Sequence, residues 1–169
     1  MTRGDLLYKW FWYAMALLVV YLCEDLLFTH LTIFGLTPLL LPLALAAVAM
    51  FEGSVAGGGF GLAVGLLCSA SWLSAGGGTL LFFCLCGTVA GAAVRYGIKQ
   101  NLTGCLLCSA GILVLLDALR VVSRVSQGAY PSPLLTLAVE EILISLLFCP
   151  FVYLLFHKVY SKVGGTRLM

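Results

Sequence analysis

The sequence predicts an all-α integral membrane protein, and its composition and sparse charge carry that prediction. Apolar residues make up 62% of the 169 residues and charged residues 9%, and the mean hydropathy is +1.12. Soluble domains contain roughly 45–50% apolar and about 25% charged residues. The chain therefore has too little polar surface to coat a water-soluble core of this size, and its outer surface is expected to face hydrocarbon.

The apolar runs divide into six predicted transmembrane helices that form a single domain, residues 1–169. One span needs about 20 residues, so six spans use about 120 residues and leave about 50 for tails and loops. No soluble catalytic domain fits in that remainder. The predicted spans are residues 10–28, 36–51, 54–73, 80–94, 102–119 and 134–156.

The first three spans are delimited by interfacial aromatic residues and by one glutamate. Tryptophan and tyrosine residues behind Lys9 are typical membrane-interface anchors for the first span. Between residues 36 and 73 the one charged residue is Glu52. A single helix of that length would reach about 57 Å, against a hydrocarbon core of about 30 Å. A hairpin that turns at residues 52–54 is therefore predicted.

The last three spans are separated by glycine, proline and basic residues. The glycine-rich residues 75–78 interrupt the chain before the fourth span, which Arg95 closes. Arg124 follows the fifth span, and residues 126–133 form the longest polar connection. Counted over six spans, seven lysines and arginines lie on the side of both termini and two on the other. This bias predicts that both termini are cytoplasmic.

Two of the predicted helices carry glycines at a spacing of four residues. The positions are Gly53, Gly57, Gly61, Gly65, Gly87 and Gly91. Glycines at this spacing lie along one side of a helix and allow another helix to approach closely. The pattern leaves two uses open, which are packing within the bundle and docking of a partner helix.

Five acidic residues lie within or near the spans and are the candidate functional groups. They are Glu24, Asp25, Asp117, Glu140 and Glu141. A carboxylate in lipid costs several kcal/mol unless it is paired, neutralised or interfacial. Asp117 is expected at the interface, with Arg120 as its partner one turn later. Glu140 and Glu141 point about 100° apart, so at least one should face the bundle or water.

For the two adjacent glutamates the sequence leaves three roles open: a structural or partner-binding role, an ion or substrate site, or a helix end that reaches the interface. Catalysis is poorly supported, because His30 and His157 are predicted on opposite sides of the membrane and neither G-x-S-x-G nor H-E-x-x-H occurs. The seven cysteines lie in or beside apolar runs, as small hydrophobic residues do. We therefore expect no enzyme activity, no cofactor and no metal, and the net charge of +2 does not favour nucleic acid as a partner.

The order of these features resembles the rod shape-determining MreD family. Residues 33–41, IFGLTPLLL, look like the G-x-x-P pattern that starts the second helix of that family. Residues 52–67 resemble its glycine-rich helix, which ends in G-L-L-x-D, although Ser69 stands where the family often has aspartate. Residues 141–162, with Pro150 and a basic end, are similar to its last helix. The likeness covers nearly the full chain.

This resemblance implies a non-enzymatic membrane scaffold of the bacterial cell-elongation complex, located in the plasma (inner) membrane. Its implied partners are MreC and, through MreC, MreB filaments and the peptidoglycan-synthesising glycosyltransferase and transpeptidase. The bundle of the family also looks like the substrate-binding component of energy-coupling-factor transporters. The alternative is therefore a vitamin- or micronutrient-binding transporter component, which would need polar groups that converge near the outer surface. The available set is Glu24, Asp25, Glu140, Glu141 and Tyr130.

Overall fold

The computed structural model describes residues 3–28, 38–71, 77–96, 100–126 and 131–163, and every regular element within these ranges is a helix. The prediction of an all-helical fold is confirmed. The helices are α1 (Arg3–Leu22, continued by a π-helical segment Cys23–Phe28), α2 (Leu41–Glu52), α3 (Ser54–Ser71), α4 (Gly77–Arg95), α5 (Leu102–Ser126) and α6 (Pro131–Val163). His30, Tyr130 and residues 36, 37, 72 and 73 of the predicted spans lie outside the described residues.

Helix α2 lies at the centre of the fold and contacts all five other helices. Every side chain from Leu41 to Phe51 is buried. The helix has 12 residues and is therefore about 18 Å long, which is shorter than the hydrocarbon core of about 30 Å. The predicted span 36–51 is longer than the observed helix, because residues 38–40 are not helical. Pro42 in the first turn of α2 lacks only an N–H that has no partner inside the helix.

The outer helices expose large apolar side chains. Among the described residues, Leu102–Ser126 and Thr136–Lys162 are long and apolar enough to cross a membrane, and α3 and α4 contain shorter apolar stretches, Ser54–Ser69 and Gly78–Val94. On α4, Leu81, Leu85 and Val89 form a stripe in which each side chain is about two-thirds exposed. An exterior of this kind is compatible with lipid as the surrounding medium.

Helix α5 ends later in the sequence than predicted, and helix α6 begins earlier than predicted. Helix α5 continues to Ser126, beyond the predicted end at residue 119, and α6 begins at Pro131. Residue 126 and residues 131–133 of the predicted polar connection 126–133 are therefore helical, and residues 127–130 lie outside the described part of the chain. The extension of α5 places Asp117 well inside the helix rather than at its end.

Helices α3 and α4 make the most extensive contact in the fold, through the predicted glycines. A Cβ atom on Gly57 would lie 2.5 Å from the carbonyl oxygen of Gly87, and one on Gly65 would lie 2.8 Å from the Cα of Leu80. A Cβ on Gly61 would overlap the carbonyl group of Phe83. Gly91 meets the backbone of residues 53 and 54 in the same way. We call Gly57, Gly61, Gly65, Gly87 and Gly91 the glycine seam.

The glycine seam is filled within the chain, so it is not a free surface for a partner helix. The sequence left open whether these glycines pack within the bundle or dock a partner helix. In the structure they pack within the bundle, because the backbones of α3 and α4 cover each other. Gly53 has a different role: its φ of +89° favours glycine, and it ends α2 by donating its N–H to the carbonyl of Ala49 at 3.0 Å. It forms the predicted turn of the hairpin.

The glycine seam predicts a position-specific loss of stability. Replacement of Gly61 by alanine should lower the free energy of unfolding by about 1–3 kcal/mol, because the added methyl group forces α3 and α4 apart. The matched control is Gly59→Ala on the same helix, where a Cβ would meet no atom within 4 Å. Thermal unfolding in detergent would measure both variants. Equal midpoints for the two variants would contradict the packing described here.

Candidate functional site

The first turn of α2 is capped by a carboxylate from α1. Glu24 Oε2 accepts hydrogen bonds from the backbone N–H groups of Leu40 at 3.0 Å and Leu41 at 2.8 Å. The first N–H groups of a helix have no partner within the helix, and the helix dipole favours a negative charge there. Glu24 lies in the π-helical segment Cys23–Phe28, a type of winding that often marks functional positions. It therefore serves α2 as a cap supplied by another helix.

Ser145 on α6 adds a hydrogen bond next to this cap, in the non-helical segment before α2. Its hydroxyl oxygen accepts the backbone N–H of Leu39 at 2.9 Å, and its O–H donates to the backbone carbonyl of Glu141 at 2.7 Å. Ser145 is fully buried. Three successive backbone N–H groups, those of residues 39–41, thus bond to side chains from α1 and α6.

Arg120 joins α5 to α6 beside this cap. Its Nη1 donates to Asp117 Oδ1 at 3.2 Å and to Glu141 Oε1 at 3.1 Å. The expected partnership of Asp117 with Arg120 is present, and the contact with Glu141 adds a link between helices. We call Glu24, Asp117, Arg120, Glu141 and Ser145 the capping network.

Asp117 is buried rather than interfacial, and this corrects the expectation from the sequence. The residue is 4% exposed, because its side chain faces the interior and bonds to Arg120. Its Oδ2 atom is buried and has no hydrogen-bond partner among the described residues. The capping network therefore contains three carboxyl groups and one guanidinium group, which contacts Asp117 and Glu141.

The structure brings together three of the five predicted acidic residues and leaves two apart. Glu24, Asp117 and Glu141 belong to the capping network. Asp25 and Glu140 are exposed, although each directly adjoins a network residue in the sequence. The two adjacent glutamates thus face different surroundings, as their angular separation on a helix requires.

A second polar group, which the sequence analysis treated only as a turn, lies at the other end of α2. Glu52 accepts hydrogen bonds from Lys9 Nζ and, at 2.9 Å, from the Tyr13 hydroxyl. Gln100 donates to the carbonyl oxygen of Met50 at 3.0 Å. The signal for this contact was available, because Glu52 is the one charge in a long apolar run. An open cleft of about 520 Å³ adjoins Glu52.

The cysteines lie among the helices as free thiols, and three small polar side chains meet between α5 and α6. Ser109 Oγ lies 3.7 Å from Cys149 Sγ, and Cys105 Sγ lies 4.0 Å from Cys149 Sγ. Within the part of the chain that the structure describes, no group of three or more His, Cys, Asp or Glu side chains could hold a metal ion. What the polar groups demonstrably do is bond helices to one another.

The cap on α2 predicts that replacing two neighbouring acids lowers the stability of the protein by very different amounts. Glu24→Ala should lower the free energy of unfolding by about 1–3 kcal/mol for each N–H group left without an acceptor. Asp25→Ala is the matched control and should change stability little, because Asp25 is exposed. Denaturant titration in mixed micelles would compare them, and a similar loss in both variants would refute the capping role.

Arg120 predicts a second contrast, between a half-buried and an exposed arginine. Arg120→Gln should destabilise by about 3 kcal/mol, because it leaves the buried Asp117 carboxylate and the half-buried Glu141 carboxylate without their counter-charge. Arg124→Gln removes the same charge from an exposed site of the same helix and should be nearly neutral. Adding Asp117→Asn to Arg120→Gln should recover part of the loss. No recovery in the double variant would show that the two side chains are not coupled.

Similarity to known proteins does not identify the chain. No protein-family model, curated protein or solved structure matches it. The resemblance to the MreD family therefore rests on residues 33–41, 52–67 and 141–162 alone.

Proposed function

We propose that the protein is a multi-pass membrane scaffold of the MreD type, a non-enzymatic subunit of the bacterial cell-elongation complex. In this proposal it lies in the plasma membrane, associates with MreC, and is linked through MreC to MreB and to the peptidoglycan-synthesising glycosyltransferase and transpeptidase. The observation that carries the proposal is the distribution of polar groups. The outer helices expose apolar side chains, while the acids and Arg120 of the capping network bond to each other and to the backbone of α2.

The six-helix membrane arrangement is supported by helix lengths and by the hydrogen bonds that the backbone N–H groups at the start of α2 make. Helices α3 and α4 have 18 and 19 residues, which corresponds to about 27–29 Å, close to the thickness of the hydrocarbon core. Non-helical backbone at membrane depth is tolerated where protein surrounds it. Residues 38–40 meet that condition, because they are buried, Pro38 has no N–H, and Ser145 and Glu24 accept the N–H groups of Leu39 and Leu40.

Two contacts support a common side for both ends of the chain. Lys9 on α1 bonds to Glu52, and Lys162 on α6 lies with its Nζ 5.5 Å from the centre of the Trp12 ring. The start of α1 and the end of α6 are therefore neighbours. The excess of lysine and arginine in these segments favours the cytoplasm for that side.

The transporter alternative draws less support from the same groups. Of its candidate set, Glu24 and Glu141 are engaged in the capping network, and Asp25 and Glu140 are exposed. Tyr130 lies outside the described residues. Polar side chains that already bond to the protein are poorly placed to orient a small molecule.

Co-purification with MreC tests the proposed function. The full chain, expressed with MreC of the same genome, should retain MreC in mild detergent and should restore rod shape to cells depleted of their own MreD. A C-terminal fluorescent reporter that is active only in the cytoplasm checks insertion in the same cells. A correctly inserted chain that neither retains MreC nor restores rod shape would refute the proposal. A vitamin found by mass spectrometry in the purified protein would favour the transporter instead.

A further inference from the structure

Aromatic and basic side chains meet at one end of the bundle, where α1 packs against α6. Tyr8 and Trp12 stand four residues apart on α1 and contact edge to face, with ring centres 6.1 Å apart. Lys158 and Lys162 have the same spacing on α6 and therefore share a face of that helix. Lys162 Nζ lies 5.5 Å from the centre of the Trp12 ring. We call these four residues the α1–α6 edge.

The α1–α6 edge has an unused hydrogen-bond donor. Trp12 Nε1 is buried and has no hydrogen-bond partner among the described residues. A buried N–H without an acceptor is costly, so this donor requires a partner that the described residues do not supply. The side chains of Tyr8 and Lys162, which contact the Trp12 ring, are both exposed.

The edge also has positive charge that the described residues do not neutralise. Among the described side chains at this end of the bundle, the one carboxylate is Glu52, and it already binds Lys9 and Tyr13. Lys158 and Lys162 are exposed and form no ion pair with a described residue. Among the described side chains, none supplies an anionic partner to the two ammonium groups of α6 or an acceptor to the Trp12 indole N–H.

We propose that the α1–α6 edge binds the headgroup of an anionic phospholipid. The phosphodiester oxygens accept hydrogen bonds from Trp12 Nε1 and from the ammonium groups of Lys158 and Lys162, as in other charge-assisted phosphate contacts. Basic sites between membrane helices on the cytoplasmic side are suited to such headgroups. The acyl chains lie along the exposed apolar side chains that continue from the edge, Phe11 on α1 and Phe151 on α6.

A lipid is favoured over a free phosphate ion because of what surrounds the donors. Tryptophan and tyrosine at this position are typical of the headgroup level of a membrane, and apolar faces extend from the site on both helices. A soluble anion would leave those faces uncovered. The inference rests on the membrane location given under the proposed function but not on MreC, so loss of MreC binding would leave it intact.

Native mass spectrometry of the full chain released from detergent tests this inference. The protein is incubated with dioleoylphosphatidylglycerol or with dioleoylphosphatidylcholine, and the lipid-bound fraction is titrated. Phosphatidylglycerol should bind preferentially, and Lys158→Gln or Lys162→Gln should each weaken it roughly fivefold. Trp12→Phe keeps the ring, removes the donor, and should weaken binding by a similar factor. Lys162→Arg should retain binding.

The matched control is Arg124→Gln, which removes an exposed positive charge at the opposite end of the bundle and should leave the titration unchanged. Thermal unfolding of every variant verifies that the fold is retained. Equal binding of the two lipids, or an equal loss in Arg124→Gln and Lys162→Gln, would overturn the inference. Displacement of the lipid by millimolar inorganic phosphate would also overturn it, because the site would then recognise the free ion.

Discussion

The burial of α2 is the constraint on which the rest of the structure depends. A helix with no exposed side chain from Leu41 to Phe51 begins inside the protein, where water does not supply partners for its first backbone N–H groups. At the first end, Glu24 and Ser145 accept three N–H groups. At the other end, Gly53 closes the last turn, and Gln100 donates to the carbonyl of Met50. These contacts tie the positions of α1 and α6 to α2.

The small residues of α2, α3 and α4 allow this central helix to be enclosed. A Cβ on Gly57 would meet both the Gly87 carbonyl and, at 2.8 Å, the Cβ of Ala49 on α2. The spacing of four residues between the glycines predicts that some helix approaches α3 closely. It does not indicate which helix, because a row of glycines gives only the shape of a groove and does not specify the helix that fills it. Helix α4 carries a matching row, Gly87 and Gly91, and this feature of the sequence explains the pairing once the structure is known.

The charged residues divide in the same way between local and distant contacts. The pair Asp117 and Arg120 was predictable, because residues three apart on a helix are neighbours. The burial of Asp117 was not, since it depends on how far α5 continues. The bonds from Glu24 to Leu40 and Leu41 join residues 16 and 17 positions apart that belong to different helices. Such contacts leave no periodic pattern, and an acid at a span end equally suits a solvated interface.

The charge balance of the capping network follows from the same geometry. Arg120 is shared by Asp117 and Glu141, whereas Glu24 is bonded to the start of α2. The first turn of a helix carries a partial positive charge of roughly half a unit, so α2 itself offsets much of the charge of Glu24. Moving α2 would expose both its N–H groups and a buried carboxylate, which couples the position of the central helix to the contacts of α1. Holding α2 in this way uses none of the exposed apolar side chains of the outer helices, such as Leu81, Leu85 and Val89 on α4.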